Sequence, residues 1–351
     1  MPADSEPQNR FFLKSSVVLW ALVTAYGLAS FVVSYFHGVA SHFKPVTYLG
    51  TAALFSLAFA ILYVAYLILR VYWVMIFVRP PKLAAWLLDD LKRGPFNRDR
   101  LIQALPVFPA FIVIFSIFSS MKMMIPAIHP FTWDPTFAAM DHAIHFGHDP
   151  WRILQPLLGF PLVTFIVNVA YNFWLPAVFI TLYWQLFSLK EPQTRMQFFY
   201  AFILTWAING TFLAIVFSSA GPCYYHDVTG GDYYAPLMKY LQQANDHYKI
   251  WALNTQRALW DSYKSSKSMI GGGISAMPSV HVSTALLFLL LSLKQKSRLW
   301  PLYAVFFLCI LFGSVHLGWH YAVDGYAGVL LTLPIWLASG FLVKLISEPK
   351  D

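Results

Sequence analysis

Eight apolar runs, at residues 17–36, 46–69, 105–127, 160–188, 197–219, 278–293, 299–315 and 321–346, constrain this chain more than any other feature. A bilayer core about 30 Å thick takes roughly 20 apolar residues to cross as a helix. Inside it every backbone N–H and C=O must find a partner within the protein, which leaves helices as the form open to runs of this length. Composition agrees, since 58% of the 351 residues are hydrophobic and 11% are charged, against about 25% charged in an ordinary soluble domain. The mean hydropathy is +0.57. The first run is longer than the core of a cleaved leader, so it is expected to remain as a span. The second extends toward residue 78 with Arg70 near its end, able to snorkel. The expected fold is therefore all-α, a polytopic membrane protein of about eight transmembrane helices.

The net charge of +8 does not point to nucleic acid, because the basic residues sit in short loops between apolar runs, where membrane orientation accounts for them. Counted on alternate sides of the eight runs, Lys and Arg number fifteen against seven, with both termini on the richer side. That side should be cytoplasmic, which puts His281, His316 and His320 at the extracytoplasmic face. The stretch 79–104 is rich in basic residues and holds Pro80, Pro81 and Pro95. The chain divides there into an N-terminal transmembrane hairpin, 1–78, a basic cytoplasmic linker, 79–104, and a helical core, 105–347, which includes an extracytoplasmic loop, 220–277. No soluble domain and no repeat is visible. Cys223 lies in a polar loop and Cys309 in an apolar run, so neither a disulfide framework nor a thiolate metal site follows.

Two segments on the extracytoplasmic side are patterned. Residues 133–158 carry Phe137, Met140, Ile144, Trp151 and Leu154 near helical spacing, with Asp134, Asp141, His142, His145 and His148 between them. They read as a broken interfacial amphipathic helix whose polar residues form a solvated face. The loop 220–277 is rich in tyrosine, with Tyr224, Tyr225, Tyr233, Tyr234, Tyr240 and Tyr248 among its residues, and holds an expected helix over 234–266. It is suited to cover a site at headgroup level. Trp319 and Tyr321 read as aromatics of the interfacial belt.

The sequence around residue 320 concentrates chemistry. His316, His320 and Asp324 recur at four-residue intervals, so on a helix they share one face, and ionisable groups at a membrane edge need a reason. A second histidine, His281, follows Pro278 and Ser279 at the start of another apolar run. Phosphoryl transfer needs a nucleophile, an acid for the leaving oxygen, and donors around the phosphate. His320 oriented by Asp324 supplies the first and His281 the second. A helix opening at Pro278 would offer amide N–H groups and its dipole to an anion, beside the glycines 271–273, the Ser279 hydroxyl and Lys122 as a clamp. His316 is a further candidate for substrate contact. The spacing of His316, His320 and Asp324 also suits a metal, so a membrane metal-dependent hydroxylase or hydrolase is one alternative, and a non-enzymatic transporter another. A membrane di-iron hydroxylase places several histidine clusters on the cytoplasmic side, where this chain has none. A transporter places its ionisable groups near the midplane.

Pro278-Ser279-Val280-His281, followed by His320 and Asp324 four residues on, resembles the second and third motifs, P-S-G-H and S-R-x5-H-x3-D, of the type 2 phosphatidic acid phosphatase superfamily. Met277 to His281, Gly318-Trp319-His320-Tyr321 and the segment from Trp133 to Pro150 are more similar to the branch containing inositol phosphorylceramide synthases. The resemblance covers about residues 105–346. It implies a six-helix core, a phosphohistidine at His320 assisted by Asp324, His281 as acid and base, no metal or other cofactor, and a lipid phosphate or phospholipid substrate. The chain departs from the pattern in three places. Val280 replaces the motif glycine, Ser314 stands where the third motif has arginine, and there is no K-x6-R-P motif, so Lys122 takes that role by position alone. Lys122, Ser279, Ser314 and loop tyrosines are the substitutes for the arginine. Nothing in the sequence decides hydrolase against transferase, headgroup or oligomeric state.

Overall fold

The computed structural model describes residues 5–94, 97–265 and 271–347; residues 1–4, 95–96, 266–270 and 348–351, among them Pro95 and the end of the expected 234–266 helix, lie outside the described residues. Among those described the chain is helical, with no strand. Six helical stretches, Asn9–Phe36, Ala60–Val78, Arg98–Ile128, Pro161–Phe187, Pro192–Val216 and Ala322–Ser347, are long and apolar enough to cross a membrane, and Val280–Lys294 and Trp300–His316 are shorter apolar helices. Together they overlap all eight expected runs, and the chain is a polytopic membrane protein.

The first two helices differ in how they meet the bundle. α1 (Ser5–Phe36) is built into it, with Phe12, Leu19, Val23 and Tyr26 buried. α2 (Leu49–Trp73) leaves nearly all its surface outward and continues into a wider turn at Val74–Val78. Its Arg70 is held by Asp90 of the short helix Leu83–Arg93 through two 2.7 Å hydrogen bonds. A second short helix, Arg98–Ala104, is started by the Asn97 side chain, which accepts from the amides of Asp99 and Arg100. The basic stretch thus carries two helices.

The site-bearing helices follow. α3 (Phe108–Ile128) leads into two short helices, α4 (Asp134–Ile144) and α5 (Pro150–Leu158), the expected broken helix. The run 160–188, expected as one span, is two helices that meet at Phe173, α6 (Pro161–Asn172) and α7 (Trp174–Phe187). α8 (Pro192–Ala207) is the central post, with Phe198, Phe199, Tyr200 and Phe202 fully buried. It also buries Arg195, counted above as a loop cation, whose guanidinium donates to the carbonyls of Gln185 and Leu186 and to Gln103. Such bonding offsets the cost of removing the charge from water.

The expected 234–266 helix is two, α9 (Ala235–His247) and α10 (Trp251–Ser265). The break is stabilised by amide side chains that take the freed N–H groups: Asn245 accepts from Ile250, and Asn168 of α6 accepts from Ala252. α11 (Val280–Lys294), α12 (Trp300–His316) and α13 (Ala322–Ser347) complete the chain, α8, α11 and α13 packing on one another with α12 against α11.

Candidate functional site

The loop between α12 and α13 is shaped by its own hydrogen bonds. α12 ends at His316; Gly318 takes a left-handed φ of +73°, and the amides of Trp319 and His320 both turn back to the carbonyl of Ser314, at 2.9 and 3.2 Å. α13 then starts with a reciprocal cap. Asp324, in its first turn, accepts from the Tyr321 amide at 2.9 Å, as the acidic residue of a capping box does. The same oxygen lies 3.2 Å from Nδ1 of His320. One fully buried carboxylate therefore both starts the helix and orients the imidazole.

His281 reaches the same place from α11. That helix begins at Val280, two residues later than expected, with Ser279 as its N-cap accepting from Val282. The Ser279 amide donates to the Asp324 carbonyl at 3.0 Å, which ties the two histidine segments together at the backbone. The ring of His281 packs against Trp174 (centroids 4.1 Å) and Tyr171 (5.0 Å, planes 17° apart), and the Trp174 indole N–H donates to the His281 carbonyl at 3.1 Å. Its centroid is 5.9 Å from that of His320.

Both rings line a cavity of about 490 Å³, together with Lys122. The stretch 271–273 closes down on α3 beside that lysine. A Cβ on Gly273, at φ +89°, would stand 2.7 Å from the Lys122 carbonyl carbon and oxygen, so only glycine permits the approach. From this charged end the cavity runs between α3 and α7 past Phe118, Phe115 and Phe111 to Phe108, and past Trp174, Phe179 and Leu182 to Leu186. Fourteen residues of helix separate Phe108 from Lys122, about 21 Å at 1.5 Å per residue. The lining has no carboxylate, so the end holding Lys122 and the two histidines suits an anion and the rest suits hydrocarbon.

The sequence-derived candidates thus fall into three groups. His281, His320 and Lys122 share the cavity, and Asp324 stands directly behind His320. Ser279 spends its hydroxyl on the helix cap. Ser314 donates to the Leu311 carbonyl, and His316 is fully buried with Nε2 2.9 Å from Thr164 and its ring against Tyr240; neither lines the cavity. Among the described residues no group of three or more His, Cys, Asp or Glu side chains is arranged to hold a metal ion.

Sequence reasoning misplaced four residues. Asp134 and Asp141 do not belong to a solvated face: they are 0% and 2% exposed and accept hydrogen bonds from the histidine-bearing segments. Their spacing from Phe137 and Ala138, also buried, follows the three-and-four rhythm of a core stripe, and that was the available signal. Trp319 and Tyr321 are not belt aromatics either. Trp319 lines the cavity and stacks on Tyr171, and Tyr321, 1% exposed, donates to Asp134 at 2.8 Å. His142 and His148 do face outward, whereas His145 is half-buried with Nε2 2.9 Å from the Tyr326 hydroxyl of α13.

Burial sets the charge states of the loop groups. Burial pushes Asp141 up to about 6, opposed by the amides of Ala322 and Val323 and by His145, with Asp324 adding to the rise. His320 is pushed down to about 3, by burial first and by the nearby Lys122 ammonium, against a hydrogen bond with the Ala276 backbone. The ring is therefore neutral near pH 7.

Two histidines and a lysine at one end of an otherwise apolar cavity, in a polytopic helical membrane protein, make a site suited to an amphiphilic anion. The sequence model of the PAP2 superfamily matches residues 135–338, and the chain belongs to that superfamily. No curated protein and no solved structure matches the chain.

Proposed function

We propose that the chain is a lipid phosphoryl-transfer enzyme that works through a phosphohistidine on His320, without a metal. PAP2 superfamily membership supports a phosphatase or phosphotransferase acting on lipids. The observation that carries the finer reading is the pair of imidazoles, 5.9 Å apart beside Lys122 at the head of an apolar shaft. In the first step the His320 nitrogen not facing Asp324 attacks phosphorus, the bond from phosphorus to the leaving oxygen breaks, and His281 gives that oxygen its proton. In the second, His281 takes the proton of water or of a lipid alcohol, whose oxygen attacks phosphorus as the P–N bond breaks. Asp324 holds His320 and stabilises its charge, while Lys122 and the first amides of α11 face the phosphate oxygens.

Transfer to an alcohol is the preferred outcome, because the cavity holding the histidines is lined mainly by apolar side chains, with Thr255 and Leu259 of α10 among them, a setting that favours a lipid hydroxyl over water. Likeness of the 277–281 and 318–321 segments to the inositol phosphorylceramide synthase branch supports the same choice. We assign the chemistry to 105–347, at the extracytoplasmic face, with the 1–78 hairpin and the 79–104 linker as attached elements. Purified protein incubated in detergent with labelled lipid phosphates and candidate alcohols should yield new phosphodiester, and labelled phosphate should be trapped on His320. Turnover without any label on histidine would refute the intermediate.

A further inference from the structure

Two carboxylates on one face of α4 join the histidine-bearing segments. Asp141 accepts from the amides of Ala322 (2.8 Å) and Val323 (2.9 Å), the first two residues of α13. It caps from outside the helix whose first turn carries Asp324. Seven residues earlier, Asp134 accepts from the amides of Ala220 (2.9 Å) and Gly221 (2.8 Å) and from the Tyr321 hydroxyl (2.8 Å). Ser219, next to Ala220, accepts from Ala276 at its carbonyl and from Met277 at its hydroxyl, and so holds the approach to His281. Gly221 fits because it is glycine: at φ +101° a Cβ there would stand 2.5 Å from the Trp319 carbonyl.

We propose that Asp134 and Asp141 are positioning residues that form a two-point clamp, Asp141 fixing His320 and Asp324, and Asp134 fixing the relation of that segment to the His281 segment. The proposal rests on His320 being the nucleophile. Neither aspartate lines the cavity, so they act through the backbone they hold. Misplacing a reacting group by about 1 Å costs on the order of a hundredfold in rate, and a carboxylate accepting two amides sets that position more firmly than a neutral acceptor. The groups around Asp141 are His145 on its own helix, Asp324 and Tyr326 of α13, and Tyr234 of the covering loop. With its carboxyl pushed up to about 6, Asp141 is the charged acceptor above that pH and loses this character below it. The clamp is therefore firm at neutral pH and loosens on acidification.

The test compares full-length wild type with Asp141→Ala, Asp141→Asn and Asp134→Ala in detergent, and reads kcat, KM and the modification of His320 by diethyl pyrocarbonate. The alanine variants should lose about a hundredfold in kcat with KM little changed, and His320 should be modified faster. Asp141→Asn, a neutral acceptor at every pH, should hold kcat from about pH 7 to 5 near the lowered value that wild type reaches in acid, above Asp141→Ala, and so should abolish the wild-type fall over that range. Equal kcat in folded Asp141→Ala, or an acid limb that persists in Asp141→Asn, would overturn the clamp. If the alanine variants do not fold, the Asp141→Asn profile and His320 modification still decide. Should His320→Ala prove active, the nucleophile assignment fails; modification of His320 then tests the clamp independently.

Discussion

The two histidine rings meet different surroundings, although hydrogen bonds hold the backbone of both segments. Around His320 the restraints are hydrogen bonds that converge on carboxylates, from Asp324 on the ring and the Tyr321 amide to Asp141 on the start of α13. The His281 ring packs on aromatic rings: Tyr171, with Trp319 stacked on it at planes 8° apart, and Trp174, tilted by 36°, whose indole N–H also donates to the His281 carbonyl at 3.1 Å. Hydrogen bonds fix where a lone pair points. Stacking fixes the plane of a ring and leaves it sliding and turning within that plane. The first suits a group that must attack along one line, the second a group that must hand a proton to one oxygen and take it from another.

Substitutions can break this contrast in order of severity. His320→Ala should lower turnover at least about ten-thousandfold while the protein still elutes as a folded species from size-exclusion chromatography. His281→Ala should cost about a hundredfold to ten-thousandfold with alkyl leaving groups and much less with a nitrophenyl leaving group. An equal loss for both would remove its acid role. Lys122→Gln should weaken the phosphate contact by roughly tenfold to a hundredfold, the worth of a hydrogen bond to a charged group, read as kcat/KM. The smallest expected effect is that of Trp174→Leu. Removing one aromatic partner should cost a few-fold to about tenfold in rate and should steepen the dependence on leaving group, since His281 loses part of its slot. If that variant instead behaves like His281→Ala, stacking holds the ring as tightly as hydrogen bonds do.

Much of this architecture was legible beforehand because the signals were local. Apolar length found the eight hydrophobic stretches. The helix face expected for His316, His320 and Asp324 does not form, since His316 ends α12, His320 lies in the loop and Asp324 is in the first turn of α13, and it is the loop that brings His320 to Asp324. What sequence could not supply was which polar groups face inward across helices. Asp134 and Asp141 resemble His142 and His148 in a linear reading, yet α13 and the 219–221 turn arrive from far along the chain to bury the aspartates and leave those histidines exposed. Ser279 and Ser314 likewise looked available, yet the Ser279 hydroxyl caps α11 and the Ser314 hydroxyl donates to the Leu311 carbonyl within α12. The break at Tyr248–Ile250 depends on an asparagine of α6, and no window of sequence contains both partners.

The course of the cavity between α3 and α7 has a kinetic consequence. Leu175 on its wall is exposed on the outer surface of the bundle while His320 is buried at its head. A substrate that slides in sideways from the lipid phase is counted as molecules per unit of membrane, and bulk molarity is the wrong variable for it. Diluting the substrate with inert detergent or lipid at constant total concentration should slow the enzyme, whereas diluting the whole suspension with buffer should not.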